Sequence, residues 1–126
     1  VKTASLLLTA LLLSACGTKT VTDPKIVAAQ ASADAAAARY AGCVDRAAKA
    51  LDPAADQPAT LTDLALKACR GERATTVAKV LAAELSRGGD DVIAREIAER
   101  SVRVADSELR ERANATIVTR KYEKAS

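Results

Sequence analysis

Three cysteines, two tyrosines and 16 acidic side chains carry the chemistry open to this 126-residue chain, and there is no histidine to assist them. Without histidine the chain lacks the usual general base near neutral pH, the Ser–His and Cys–His nucleophilic pairs, and the commonest metal ligand. Carboxylate pairs remain available for acid–base work. Nearly every Asp or Glu, however, has a Lys or Arg at helical spacing, which predicts a solvated, salt-bridged face. No glycine-rich phosphate loop occurs, because Gly88-Gly89 reads as a helix boundary. Asn114-Ala115-Thr116 matches a glycosylation sequon but falls in the middle of a helical pattern. Tyr40 and Tyr122 read as packing or surface residues. The sequence therefore predicts no catalytic residue, no metal site, no cofactor and no small-molecule substrate, and the chain is not expected to be an enzyme.

The elements that position the cysteines begin with the first 17 residues. Lys2 supplies a positive start, Ala4 to Leu13 is a short apolar run, and small residues precede Cys16. This is the anatomy of a secretory signal peptide. An apolar run that short falls well below the about 20 residues of a bilayer-spanning helix. With Met absent from the chain, Val1 is read as a GTG start codon. Leu13-Ser14-Ala15-Cys16 resembles the lipobox of bacterial lipoproteins: Leu, a small residue, Ala or Gly, then Cys. The resemblance covers these residues alone. It implies that signal peptidase II recognises Leu13, Ser14 and Ala15 and cuts the Ala15–Cys16 bond. It further implies that Cys16 carries diacylglycerol and an N-acyl chain, palmitate among them. It places the protein at a cell membrane, held by lipid and facing the periplasm. In that family an aspartate after the cysteine retains the protein in the inner membrane. Gly17 in that place favours the outer membrane in a Gram-negative host.

Composition limits the core that the domain beyond the anchor can build. Hydrophobic residues make up 49% of the chain, yet there is no Phe, Trp or Met. Much of the apolar content is alanine. Burial is worth roughly 25 cal/mol per Å² of apolar surface, so such a core is thin and gains from a staple. The charge is 19 basic against 16 acidic residues, net +3, or +2 once Lys2 leaves with the leader. These charges are interspersed. A nucleic-acid binder needs a concentrated basic face or aromatic platforms, so no nucleic-acid partner is expected.

The spacing predicts an all-α domain: an antiparallel helical hairpin followed by a long third helix. The expected organisation is a signal peptide over 1–15, a flexible lipidated tether over 16–23 and a helical domain over 24–126. Asp23-Pro24 provides an N-cap and a first-turn proline for helix one, about 24–51. Ala33, Ala37, Tyr40, Val44, Ala47 and Leu51 form its apolar row. Two prolines in Asp52–Pro58 break the chain. Thr60 with Asp63 resembles a capping box for helix two, about 61–86. Its apolar side is read as Leu61, Leu64, Ala68, Thr75, Ala78, Ala82 and Leu85. Ser86–Gly89 ends that helix with a glycine free to adopt a left-handed cap. Asp90 and Asp91 open helix three, about 90–121, with Ile93, Ile97, Val104, Leu109, Ala113 and Ile117 as its stripe. Acid-before-base pairs at Asp91–Arg95, Glu96–Arg100, Glu99–Arg103, Asp106–Arg110 and Glu108–Arg112 would each add ~0.2–0.5 kcal/mol.

Setting Cys16 aside leaves Cys43 and Cys69, and an exported domain with two cysteines favours a disulfide. Cys43 lies eight residues before Leu51 and Cys69 eight after Leu61. In an antiparallel hairpin both then stand about 12 Å from the loop. The bridge would contribute roughly 3 kcal/mol. Two free thiols, or a redox or metal pair, are the alternatives. The expected role is a non-enzymatic structural or interaction module of the cell envelope, pairing with a helical protein partner or with itself. The alternative is a periplasmic inhibitor or binding protein acting on an envelope enzyme or incoming factor. The small murein lipoproteins of enteric bacteria are a loose comparison. This chain departs from them in its expected bridge and in ending without a terminal lysine, so covalent wall attachment is not expected.

Overall fold

A computed structural model describes residues 23–126, and all regular structure among them is helical. There are four helices where the sequence reading expected three: α1 Pro24–Ala50, α2 Pro58–Ala68, α3 Arg70–Ser86 and α4 Asp91–Ala125. The expected signal peptide, the Leu13–Cys16 motif, Gly17 and most of the segment read as a tether lie outside the described residues.

Helix α1 starts as its sequence dictates. The Asp23 carboxylate accepts the Lys25 N–H at 2.8 Å, and Pro24 occupies the first turn, where its missing N–H costs nothing. Helix α2 starts earlier than the Thr60 capping pattern implied. Gln57 is the cap and Pro58 opens the helix, so Thr60 and Asp63 lie inside it. The fixed φ of proline suits a first helical position, and this outweighed the capping box. Asp90 caps α4 by accepting from the Val92 and Ile93 N–H groups at 2.9 and 3.3 Å. Gly88 takes the left-handed conformation (φ +81°) that ends α3, as its position after Ser86 suggested.

The expected single helix over 61–86 is broken at Cys69. That residue has φ −104° and ψ 21°, and its N–H bonds the Leu66 carbonyl three residues back rather than four. The break falls where a Cys43–Cys69 disulfide ties α1 to the chain (Cα–Cα 5.9 Å). Gly71, a weak helix former, follows within the next turn. The equal-height argument also changes. With α2 beginning at Pro58 the two cysteines are not equidistant from the loop, and the bridge sits at the elbow between α2 and α3.

Side-chain contacts set the topology. The disulfide and an Arg87–Gln30 hydrogen bond make α2 and α3 antiparallel to α1. Tyr40–Asp106, Asp45–Arg112 and Arg120 to the Ala48 and Leu51 carbonyls make α4 parallel to α1. The larger core side chains gather toward the α1–α2 loop: Tyr40, Val44, Leu61, Cys69, Leu109 and Ile117. Toward the opposite end, the buried residues include Ala33, Ala36, Ala83, Ala94 and Ala98. Alanine there lets the helices approach closely.

The apolar row of α2 and α3, and the first half of that of α4, turn out rotated from those read in the sequence. Across α2 and α3 the buried positions are Leu61, Thr62, Ala65, Cys69, Thr76 and Ala83, while Leu64 and Leu85 are 46% and 40% exposed. Cys69 must face α1 to reach Cys43, and steps of four and seven from it select this row. Thr62 and Thr76 are tolerated because each hydroxyl donates to a carbonyl four residues back, at 2.8 Å. In α4 the expected Leu109, Ala113 and Ile117 are buried, but the row continues through Val102, Ala98 and Ala94, so Ile93, Ile97 and Val104 face outward. In α1 the buried residues include Ala36 and Ala48, while Ala37 is exposed and Ala47 only half-buried.

Replacing both cysteines with serine, Cys43→Ser and Cys69→Ser, should lower unfolding stability by roughly 3 kcal/mol. Urea titration of the variant, and of the parent with and without reductant, checks it. An unchanged midpoint would show that the bridge adds no stability.

Candidate functional site

The described residue with the greatest chemical potential is Tyr40, on the buried row of α1 and only 2% exposed. A buried phenol must find a hydrogen-bond partner. Its hydroxyl donates to Asp106 Oδ1 on α4 at 2.7 Å. The other carboxylate oxygen, Oδ2, accepts from Arg73 Nε on α3 at 2.8 Å. Arg73 also lies 3.8 Å from Glu99 Oε2. One carboxylate thus joins three helices, with Lys67, Arg70 and Arg110 around its outer rim.

Burial chiefly holds the Tyr40 hydroxyl well above its usual pKa of about 10. The hydrogen bond to Asp106 and the Asp106 charge add to this, while Arg73 and Arg110 oppose it. The hydrogen bond to Asp106 likewise raises Arg73, against its partial burial. A phenol held neutral against a carboxylate whose two oxygens are both engaged acts as a polar tie. It is poorly suited to giving up its proton.

A second tie closes the opposite end of the core. Arg120 Nη1 donates to the Ala48 and Leu51 carbonyls at 3.1 and 2.8 Å, covering orphan acceptors at the end of α1. Asp52 accepts the Ala54 N–H and the Lys124 ammonium at 3.1 and 3.0 Å. Those bonds, the backbone one foremost, hold its carboxyl below the ordinary range.

Of the five acid–base pairs expected within helix three, Asp91–Arg95 and Glu96–Arg100 form. The other three pairings are replaced by contacts between helices. Glu99 and Asp106 turn to Arg73, Arg110 to Asp63, and Arg112 to Asp45 at 2.6 Å. The solvated-face reading thus applies to part of α4 only. Tyr122 is 73% exposed and Asn114 lies on the exposed surface of α4. Cys43 and Cys69 are joined to each other. Leu13, Ser14, Ala15, Cys16 and Gly17 lie outside the described residues.

Among the described residues, no three His, Cys, Asp or Glu side chains group as a metal site, and no helix is long and apolar enough to cross a membrane. No protein-family model, curated protein or solved structure matches the chain. The Tyr40–Asp106–Arg73 tie was half visible in the sequence. Tyr40 stood on the apolar row and so required a partner, but the partner lies 66 residues away.

Tyr40→Phe should cost about 1 kcal/mol, and Asp106→Ala, which strands the buried hydroxyl and Arg73, about 1–3 kcal/mol. Because the folded state raises the Tyr40 pKa, its contribution is complete below the unfolded value of about 10. It is lost as pH rises beyond that value toward the folded one. Denaturant unfolding on both sides of that pH should show the gap between parent and Tyr40→Phe narrowing on the alkaline side. A constant gap would mean that Tyr40 ionises equally in both states.

Proposed function

We propose that this chain is a bacterial envelope lipoprotein, cleaved before Cys16 and anchored by lipid on that residue. Its helical domain serves as a non-enzymatic structural or interaction module. The observation that carries the reading is the Leu13-Ser14-Ala15-Cys16 sequence at the end of a short apolar segment with a basic start. The cysteine arithmetic supports it. Taking Cys16 for the lipid leaves two cysteines, and those two are bridged in the helical domain. Disulfides persist in oxidising compartments outside the cytosol. Two or more acyl chains hold a protein stably at a membrane without a spanning helix. Gly17 favours the outer membrane in a host that has one. The polar groups of Tyr40, Asp106, Arg73 and Arg120 are spent holding helices together, which fits a module that presents a surface.

A second reading, an inhibitor or binding protein for an envelope factor, draws support from the cationic rim of Lys67, Arg70 and Arg110 at the α2–α3 elbow. Such a rim suits an acidic partner. Capture of one stoichiometric soluble partner by the purified protein would favour this reading. Concentration-dependent self-association would favour the structural one.

Cys16→Ala should abolish incorporation of labelled palmitate and shift the protein out of the membrane fraction. Palmitate labelling that persists in this variant would overturn the anchor assignment.

A further inference from the structure

We infer that the surface cavity at the α2–α3 elbow binds a phosphate group, free or as a monoester, through Lys67, Arg70, Arg73 and Arg110. The inference rests on the binding reading of that cationic rim and names the anion it takes. The cavity measures about 250 Å³. It draws its cations from three helices: Lys67 from α2, Arg70 and Arg73 from α3, and Arg110 from α4. Pockets for drug-sized ligands run roughly 300–1,000 Å³, so this one suits a single compact charged group.

The acids nearby are already engaged. Asp106 gives one oxygen to the Tyr40 hydroxyl and the other to Arg73 Nε. Glu99 lies 3.8 Å from Arg73, and Asp63 pairs with Arg110. Lys67 and Arg70 stand in the chain between Asp63 and Arg73, whose charges pair with α4. Among the described residues neither Lys67 nor Arg70 forms an ion pair. Two positive charges at one cavity are therefore left without a counter-charge. Burial dominates the Tyr40 pKa, but Arg73 and Arg110 both pull it down, so both positive fields reach the inner wall of the cavity.

The number and direction of the donors select phosphate over a carboxylate. A carboxylate offers two oxygens in one plane, which a single guanidinium fork satisfies. A phosphate monoester carries about −1.5 to −2 charge at neutral pH and presents three acceptor oxygens. That charge matches the two unpaired cations, and three oxygens can meet donors arriving from separate helices. Arg73 and Arg110 keep N–H groups to spare beyond those bonded to Asp106 and Asp63, because a guanidinium fork has several.

Purified full-length protein is dialysed to equilibrium against radiolabelled inorganic phosphate at constant ionic strength, which holds general screening fixed. The expected result is saturable binding of one phosphate per chain. Lys67→Gln and Arg70→Gln should each weaken it about tenfold, the scale of a lost hydrogen bond to a charged group. Lys79→Gln removes the same charge further along α3 and should leave binding unchanged. All three positions are exposed, so the fold should tolerate the changes, and circular dichroism checks that it does. No saturable binding, or an equal loss in all three variants, overturns the phosphate site. A glutamate oligomer that binds through Lys67 and Arg70 where phosphate does not bind assigns the rim to an acidic protein surface. That result overturns the phosphate site and leaves the binding reading intact, whereas failure of both anions overturns both. Competition by dihexanoyl phosphatidic acid then separates the sources, and either result upholds the site. Displacement at far lower concentration than unlabelled inorganic phosphate needs points to a lipid headgroup, and equal or weaker displacement to a soluble phosphate compound.

Discussion

The Cys43–Cys69 bridge is the constraint around which the helical domain is arranged. It sets the distance between α1 and the middle of the chain, and also the rotation of α2 and α3, because Cys69 must point at Cys43. That one orientation selects the buried positions Ala65 and Leu61 on one side, Thr76 and Ala83 on the other. The elbow at Cys69 belongs to the same constraint. A residue held by a covalent bond and followed by Gly71 departs from helical geometry more readily than its neighbours.

A cross-link at this place matters because the core is thin. Alanine dominates one end of the bundle, and the few larger side chains collect at the other. Alanine removes little apolar surface from water, so its benefit lies in close helix approach and low conformational cost. Polar ties supplement the packing. Tyr40, Asp106 and Arg73 link three helices in a partly buried setting, where a charge-assisted hydrogen bond is stronger than at the open surface. Arg120 secures the carbonyl end of α1 beside the Asp52 turn.

The long α4 helix divides its labour by face. Its inner row of small residues packs the bundle, and its charged flanks supply partners for Arg73, Asp63 and Asp45 on the other helices. Its outer side in the first half leaves Ile93, Ile97 and Val104 exposed. A helix that exposes isoleucine while burying alanine has the sequence signature of two alternative inner faces. Tertiary contacts at Asp106, Leu109 and Ile117 select one of them.

The local sequence was enough to indicate helices throughout, the start of α1 at Asp23-Pro24, the Asp90 cap, the Gly88 turn and the pairing of Cys43 with Cys69. Each of these rests on a short-range preference or on counting cysteines. The early start of α2 is local too, a contest between two start signals that Pro58 wins. Only the tertiary structure decided the break at Cys69, the rotation of the buried rows and the tie from Tyr40 to Asp106 and Arg73. The physical reason is common to all three. Apolar spacing defines a stripe only to within one residue, about 100° of helix rotation. When alanines and larger aliphatics alternate, either row reads as a core. Which row is buried, and which acid meets which base, depends on contacts between residues far apart in the chain.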